Sequence, residues 1–411
     1  MVAPASIASS RSDQSLLLAL LPIMVIMLLS FATIGMALPA LPLHVRDQLG
    51  MGPVAVGLIS GSQFGASLLC RPWAGLFADR NGGKQAVVAG LIAAAVAGGL
   101  YLVSLQLVGS PMASAALLLI GRGVLGGAES FIITGALGWG LGLASPQHTG
   151  KVIAWVGTAM FAAFAAGAPA GSVLYGFFGF GAVAVTTVVL PLLTLLVVAL
   201  FRGVPPIVAE RASARTVLSA VWLPGIGLAL SCTGFGAIIG FGSLLFADRG
   251  WSPSWPIFSS YAIAFIAARV ALGHLADRFG GARVALVCLA IEAIGLALMG
   301  LASTQTVALV GAALTGFGFS LVFPGFGVEA VKRVQPSNRA LAIGVYTAFL
   351  DLSLGLASPA MGWIGDVAGL PRIFIFSAFA ALAAMVIAVG LIVRQRRGAD
   401  GEVLPATRTA L

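Results

Sequence analysis

The sequence predicts an all-α integral membrane protein with twelve transmembrane helices, arranged as two bundles of six. Three observations predict this fold: an apolar composition, apolar stretches long enough to cross a bilayer, and a motif that occurs twice. Of the 411 residues, 59% are hydrophobic and only 9% are charged, whereas about a quarter of the residues of soluble domains are charged. Mean hydropathy is +1.07. These values exclude a soluble protein.

Twelve apolar stretches are long enough to cross a membrane as helices. About 20 helical residues cover about 30 Å of hydrocarbon, and the stretches of that kind lie at 16–44, 54–77, 86–108, 112–144, 152–175, 179–201, 217–246, 254–275, 283–303, 306–329, 340–363 and 371–393. The first is too long for the apolar region of a cleaved signal peptide, so we expect it to remain as a helix.

The basic residues predict the orientation of the chain in the membrane. With the N-terminus in the cytoplasm, sixteen Lys and Arg residues lie in cytoplasmic segments and three in outer loops. The positive-inside rule favours this arrangement, with both termini in the cytoplasm. We expect a multi-pass protein of the cell membrane, typical of a bacterial inner membrane. Because the positive charges are scattered through short loops, we expect no nucleic-acid partner.

A short polar motif interrupts the apolar sequence twice. GLFADRNGGK at 75–84 returns as GHLADRFGGAR at 273–283, and each copy follows the second span of a set of six. A shift of 198 residues superposes Gly75 on Gly273, Asp79 on Asp277 and Arg80 on Arg278. This pattern indicates a tandem duplication. The predicted segments are an N-terminal bundle at 1–201, a cytoplasmic linker at 202–216, a C-terminal bundle at 217–393 and a cytoplasmic tail at 394–411.

Over nearly its whole length the sequence resembles transporters of the major facilitator superfamily. The family's signature in the loop between helices 2 and 3 is matched by Gly75, Asp79, Arg80, Gly82 and Lys84. Arg122 and Gly126 are similar to its Arg-x2-Gln-Gly pattern in helix 4, and GAPAG at 167–171 is a loose version of its antiporter signature in helix 5. The sequence most resembles bacterial efflux permeases of the arabinose-efflux and drug-efflux type.

The resemblance implies a gating role for Asp79 at the cytoplasmic end of helix 2. In the outward-facing state of the family, this carboxylate faces the positive N-terminal end of helix 11, a contact worth about 0.3–1 kcal/mol when exposed. We predict that it is a latch that breaks on inward opening, with Asp277 and Arg278 as its counterparts in the second copy. A simple turn in a positive loop is the alternative, and it is stronger for Asp277.

Three charged residues in the middle of spans are candidates for proton coupling. A charge at the centre of a span costs about 2.5–3.5 kcal/mol on insertion scales, so it usually faces a cavity or a partner. Glu129 lies seven residues after Arg122, on the same face of the helix. We predict Glu129 as the proton carrier, Arg122 as its modulator and Asp351 as a second carrier. A structural ion pair between Glu129 and Arg122 is the alternative.

Two other acids are assigned structural roles. The resemblance places the third helix of each set of three in an outer layer, so we expect Glu292 of the ninth span to form a structural pair. We expect Glu329 to pair with Arg278. The three cysteines lie inside apolar spans and predict no metal or cofactor site.

The resemblance implies that helices 1, 4, 7 and 10 line a substrate cavity. The candidate cavity residues are Phe31, Thr33, Glu129, Ser130, Phe235 and Phe317. Sugars need many directed hydrogen bonds, and the polar side chains on these helices are few. The composition therefore favours amphipathic organic compounds, whereas the resemblance to arabinose-efflux permeases favours sugars, and both stay open.

We therefore predict a secondary transporter, not an enzyme, that exports a small organic solute in exchange for protons by alternating access. We expect it to act as a monomer without a cofactor. Proton-coupled uptake of a small solute such as a sugar is the alternative mechanism. A membrane receptor or sensor is the alternative from another class, but the longest polar segment is only 394–411. An ATP-driven pump is disfavoured because no Gly-x4-Gly-Lys-Ser/Thr sequence occurs.

Overall fold

The computed structural model describes residues 5–144, 148–205, 214–332, 334 and 339–401. Its helices are α1 Ala5–Asp47, α2 Pro53–Asn81, α3 Gly83–Leu105, α4 Pro111–Leu143, α5 Thr149–Ala199, α6 Ala214–Asp248, α7 Pro256–Leu272, α8 Leu275–Phe279, α9 Gly281–Gly300, α10 Gln305–Val331, α11 Arg339–Ala368 and α12 Leu370–Gly401. Within these ranges, ten helices are long and apolar enough to cross a membrane. A helix satisfies its own backbone hydrogen bonds in hydrocarbon, and the predicted all-α membrane fold is confirmed.

The twelve predicted spans do not correspond one to one to these helices. The spans predicted at 152–175 and 179–201 both lie in α5, which consists of two helices joined across a kink at Gly179, with φ +72°, at the predicted boundary between the spans. Glycine adopts this left-handed conformation without steric cost. The span predicted at 254–275 contains α7, which ends at Leu272 and is followed by the five-residue α8. The number of crossings and the cytoplasmic termini therefore stay predictions.

Backbone contacts divide the chain into two compact units. The first unit comprises Met1–Glu210, Ile238–Ala262 and Leu354–Leu370, and the second comprises Arg211–Ala237, Ile263–Ser353 and Pro371–Leu411. The bundle bounds predicted from the sequence stay a prediction. Residues 206–213 of the predicted linker and 402–411 of the predicted tail lie outside the described residues.

The first unit has an apolar core built from four helices. α1 packs on α5 and α3 packs on α4, and core side chains such as Phe31, Leu91 and Leu125 come from three of them. Glycines let the backbones approach closely: a Cβ atom on Gly171 would lie 2.1 Å from the carbonyl oxygen of Met36. The glycine-rich stretch 167–171 therefore packs α5 against α1, as small residues do in membrane helix pairs.

The repeated motif has similar geometry in both copies. Gly82 and Gly280 both have positive φ, +91° and +92° respectively, where the preceding helix ends. The next glycine in each copy packs on a following helix. A Cβ atom on Gly83 would lie 2.4 Å from a carbonyl oxygen of α4, and one on Gly281 would lie 2.2 Å from a carbonyl oxygen of α10. The turn and the close approach explain why both copies keep two successive glycines.

Within the first unit, the beginning of α2 packs on the last part of α11. A Cβ atom on Gly57 would lie 2.3 Å from the carbonyl oxygen of Ser358, and one on Gly61 would lie 3.0 Å from that of Gly355. A Cβ atom on Gly65, one turn further along α2, would meet no atom within 4 Å. The contact therefore depends on Gly57 more than on Gly65.

We expect Gly57→Ala to destabilise the protein and to reduce its transport, because the new methyl group would clash with backbone atoms that cannot turn away. Overpacking of this kind costs about 1–3 kcal/mol. Thermal unfolding of the purified protein in detergent measures the effect. Gly65→Ala is the matched control on the same helix and should unfold like the wild type. Equal melting temperatures for both variants would contradict the close contact at Gly57.

Candidate functional site

Glu129 lies near the middle of α4 and is only 5% exposed. Its Oε2 accepts a hydrogen bond of 2.8 Å from Nε2 of Gln63 on α2. The two helices approach closely here, because a Cβ atom on Gly126 would lie 1.9 Å from the carbonyl oxygen of Gln63. Gly126 thus brings the carboxylate and the amide together. Sequence reasoning did not predict Gln63 as a partner, although a rare amide in the middle of an apolar span was a usable signal.

A second polar contact between α2 and α4 lies beside the first. The Oγ atom of Ser130 donates a hydrogen bond of 2.6 Å to the carbonyl oxygen of Ser67, and the two hydroxyl oxygens are 3.0 Å apart. Both serines are fully buried. Polar side chains inside membrane proteins pair across helices in this way. We refer to Gln63, Ser67, Glu129 and Ser130 as the α2–α4 polar seam.

Arg122 is fully buried on α4. Among the described residues, none of its three guanidinium nitrogens has a hydrogen-bond partner. The hydroxyl of Tyr101 on α3 is likewise buried and has no hydrogen-bond partner among these residues. Arg122 and Glu129 are not hydrogen-bonded, because seven residues separate them by about 10.5 Å along the helix and Glu129 instead bonds to Gln63 on α2.

The remaining cavity candidates of the first unit are buried in helix packing. The ring of Phe31 meets Phe164 of α5 edge to face, with the ring centroids 5.6 Å apart. The Oγ1 atom of Thr33 donates a hydrogen bond of 3.3 Å to the carbonyl oxygen of Leu29 in its own helix. Neither side chain is exposed. A cavity-lining role for these two residues stays a prediction.

The second unit contains the other predicted candidates. Asp351 is 1% exposed on α11. Phe235 of α6 stacks on Phe319 of α10, with centroids 5.7 Å apart and planes 3° from parallel, and Phe317 is half-buried. Nearby, Nη2 of Arg269 donates a hydrogen bond of 2.9 Å to the carbonyl oxygen of Ser320. This unit therefore combines an aromatic pair with buried charge.

The predicted gating residues lie at helix ends. Asp79 and Arg80 are exposed in the last turn of α2, and Gly75 is half-buried one turn earlier. Nζ of Lys84 donates a hydrogen bond of 2.6 Å to the carbonyl oxygen of Phe201. This bond holds the start of α3 near the end of α5.

In the second copy the helix is interrupted at the motif. The backbone N–H of Gly273 donates to the carbonyl oxygen of Arg269 at 3.0 Å, and α8 starts two residues later. Arg278 is exposed, with its guanidinium 5.3 Å from the ring centroid of Phe279. The side chain of Asp277 lies outside the described residues. The first copy remains one continuous helix as far as Asn81.

Two acids have contacts that the sequence did not predict. Oδ2 of Asp366, near the end of α11, accepts a hydrogen bond of 3.3 Å from the backbone N–H of Val54, at the start of α2. A carboxylate at a helix N-terminus is stabilised by the helix dipole, and Gly52 provides no side-chain cap there.

Glu329 contacts Lys332 at 3.4 Å and also accepts a hydrogen bond from Gln395. Its partners are therefore Lys332, directly after the end of α10, and Gln395 of α12, and not Arg278.

Comparison with known proteins identifies the family. The sequence model of the Major Facilitator Superfamily matches residues 23–255 and, a second time, residues 225–406. The chain belongs to the Major Facilitator Superfamily. Members of the superfamily are secondary transporters, and this chain is a multi-pass membrane transporter, consistent with a bacterial inner membrane.

Related sequences and structures agree with this membership. An uncharacterized MFS-type transporter of Pseudomonas aeruginosa is 41% identical over 396 residues, covering 96% of this chain and 98% of its own, and one of Salmonella typhimurium is 41% identical over 90% of this chain and 95% of its own. A D-xylose-proton symporter has a TM-score of 0.74 at 14% identity, over 89% of this chain and 97% of its own. A nucleoside transporter has a TM-score of 0.70 at 14% identity, over 91% and 98%. At these identities the structures support the shared fold alone.

Proposed function

We propose that this transporter exports a small amphipathic organic solute in exchange for protons, by alternating access. The observation that carries the proposal is Glu129, a carboxyl group that is 5% exposed near the middle of α4. An ionised carboxylate is unfavourable at that depth unless its surroundings compensate the charge. Its proton affinity therefore depends on the conformation of the helices around it, as proton-coupled transport requires.

Gln63 is suited to serve both protonation states of Glu129. Its Nε2 donates to the carboxylate, while its Oε1 is buried and has no hydrogen-bond partner among the described residues. A protonated Glu129 has an O–H group that needs an acceptor. Oε1 of Gln63, which is on the same amide group as Nε2, can be that acceptor. The amide can therefore stabilise either form after a small rotation. We assign Arg122, two turns away, as the positive charge that modulates the ionised form, and Asp351 as a second proton carrier.

The hydrogen bonds of the candidate cavity helices favour an amphipathic solute over a sugar. Several of their hydroxyls already donate to carbonyl oxygens of their own helices: Ser30 to Ile26, Thr33 to Leu29, Thr233 to Leu230 and Thr315 to Gly311. Few of these donors remain for the many directed hydrogen bonds of a sugar. The stacked pair of Phe235 and Phe319 adds an apolar surface on α6 and α10.

We assign the gating step to helix ends. Asp79 at the end of α2 would bind the N-terminal end of α11 when the cytoplasmic side is closed, as the family resemblance implies. The contact of Asp366 with the start of α2 would act at the other end of the same two helices. The exchange of one carboxylate contact for the other would then accompany each transport cycle.

A transport assay in inverted membrane vesicles tests the proposed function. A panel of amphipathic organic cations, organic anions, neutral drugs and pentoses is offered to vesicles with and without an acidic interior. We expect accumulation of at least one amphipathic compound only when the interior is acidic, and its loss after a protonophore is added. Vesicles without the protein are the control. Accumulation that needs the opposite gradient would indicate uptake by symport and would contradict export.

A further inference from the structure

Glu292 is a further deeply buried acid, and the function proposed above does not use it. It lies near the middle of α9 and is fully buried. Its Oε2 accepts a hydrogen bond of 2.6 Å from the hydroxyl of Ser231 on α6. Its Oε1 is buried and has no hydrogen-bond partner within the described ranges. Among the described residues, one oxygen of this carboxyl group therefore accepts no hydrogen bond.

Glycines on two neighbouring helices make the space that Glu292 occupies. A Cβ atom on Gly234 of α6 would lie 2.9 Å from Oε1 of Glu292, and one on Gly318 of α10 would lie 2.7 Å from its backbone nitrogen. The side chain therefore points into the contact with α6 and not toward lipid. The expected outer-layer position of this helix does not predict such an orientation.

In the part of the chain that the structure describes, the carboxyl group of Glu292 forms no ion pair. Cys288 lies one turn earlier on α9 and Cys232 follows Ser231 on α6, and Asp351 of α11 is another buried acid of the same unit. From α10, Thr315 directs its hydroxyl to the carbonyl oxygen of Gly311.

Arg269 of α7 is a basic side chain of the same unit, and it contacts α10. Its Nη2 atom donates to the carbonyl oxygen of Ser320. The observed partner of the Glu292 carboxyl is a neutral hydroxyl. Among the described residues, an ionised carboxylate in this position would be buried with a neutral hydroxyl as its hydrogen-bond donor, whereas a protonated carboxyl group carries no charge.

We propose that Glu292 and Ser231 form a further proton-binding site, in addition to Glu129 and Asp351, which takes up and releases one proton in each transport cycle. The step is the dissociation of the Glu292 carboxylic acid into carboxylate and H⁺, with the proton passing to water. Ser231 lies on α6, which contains the seventh predicted span, at 217–246, and is therefore a predicted cavity helix. Movement of α6 changes the hydrogen bond by which Ser231 stabilises the carboxylate. The role of this site in transport rests on the proposed proton-coupled export.

Infrared difference spectroscopy on the full-length purified protein in lipid tests the site directly. The C=O stretching band of a protonated carboxyl group is recorded from acidic to alkaline pH. We expect one such band to persist at neutral pH, to disappear at alkaline pH and to be absent from Glu292→Gln. Glu329→Gln is the matched control, because Glu329 is also a buried acid but contacts Lys332, and it should keep the band.

Ser231→Ala is a second test of the site, which can be used if Glu292→Gln does not fold. This variant keeps the carboxyl group of Glu292 and removes only its hydrogen-bond donor. Since a hydrogen bond to the carboxylate favours the ionised form, its loss should move the disappearance of the band up by about one pH unit. A spectrum of Glu292→Gln identical to that of the wild type would overturn the site. Unchanged pH dependence of solute transport in Glu292→Gln would overturn its role in the cycle. Failure of the wild type to use a pH gradient would instead refute the proposed export, whatever the infrared result.

Discussion

Glu129→Gln should abolish uphill transport driven by a pH gradient while the protein remains folded. Glutamine has nearly the shape of glutamate and can keep a hydrogen bond with Gln63, which now donates to Oε2 at 2.8 Å. The substitution removes only the group that binds and releases the proton. Exchange of solute down its own gradient needs no proton transfer and should survive. We expect accumulation in acidic inverted vesicles to fall to the level of vesicles without the protein.

Several controls separate proton carriage from a structural role. If Glu129 were instead one half of a structural ion pair with Arg122, its neutralisation would leave a buried charge, a defect of about 3–5 kcal/mol. Thermal unfolding of the purified variant measures that defect, and Arg122→Leu should then partly rescue it. We expect no such defect, because Arg122 and Glu129 are not hydrogen-bonded. A stable Glu129→Gln protein with full proton coupling would transfer the carrier role to Asp351.

Asp79→Asn should reduce transport more than Asp277→Asn does. The proposed contact of Asp79 with a helix N-terminus needs a negative charge, which asparagine lacks. Only the first copy of the motif matches the family signature in full, and only the first copy lies at the end of a continuous helix, α2. Initial rates of solute accumulation in inverted vesicles, corrected for the amount of each variant in the membrane, measure the difference.

The charge-preserving variant Asp79→Glu is the control for this prediction. It retains the carboxylate at the end of α2, so it should keep more activity than Asp79→Asn. If Asp79→Asn and Asp277→Asn lose activity equally, or if neither loses any, Asp79 is not a latch. Asp79 is exposed, so either change should leave the unfolding temperature close to that of the wild type.

Much of the fold could be predicted because hydrocarbon imposes a simple rule. Every long apolar stretch must satisfy its own backbone hydrogen bonds, and a helix does so locally. Span positions were therefore readable from composition. The repeated motif likewise predicted equivalent turns, and Gly82 and Gly280 have φ values of +91° and +92°. The break inside α5 at Gly179 lies at the predicted boundary between the spans 152–175 and 179–201.

The contacts of the candidate site depended on how the helices pack. Glu129 was recognisable as an unusual acid, but its hydrogen bond to Gln63 joins residues 66 positions apart. That bond exists because Gly126 allows α2 to approach α4. Sequence periodicity placed Glu129 on the same helix face as Arg122, but it could not indicate that the two side chains are not hydrogen-bonded.

The sequence by itself determined the membrane location, the helical class, the repeated motif and the short list of charged residues within the spans, since each follows from local composition or from an internal repeat. Only the tertiary structure decided which polar groups meet. Glu292 is the clearest example: its predicted role was structural pairing, yet it contacts Ser231 through one oxygen and leaves the other without a partner among the described residues. Side-chain pairing between helices depends on their rotation and depth, which a hydropathy pattern does not specify.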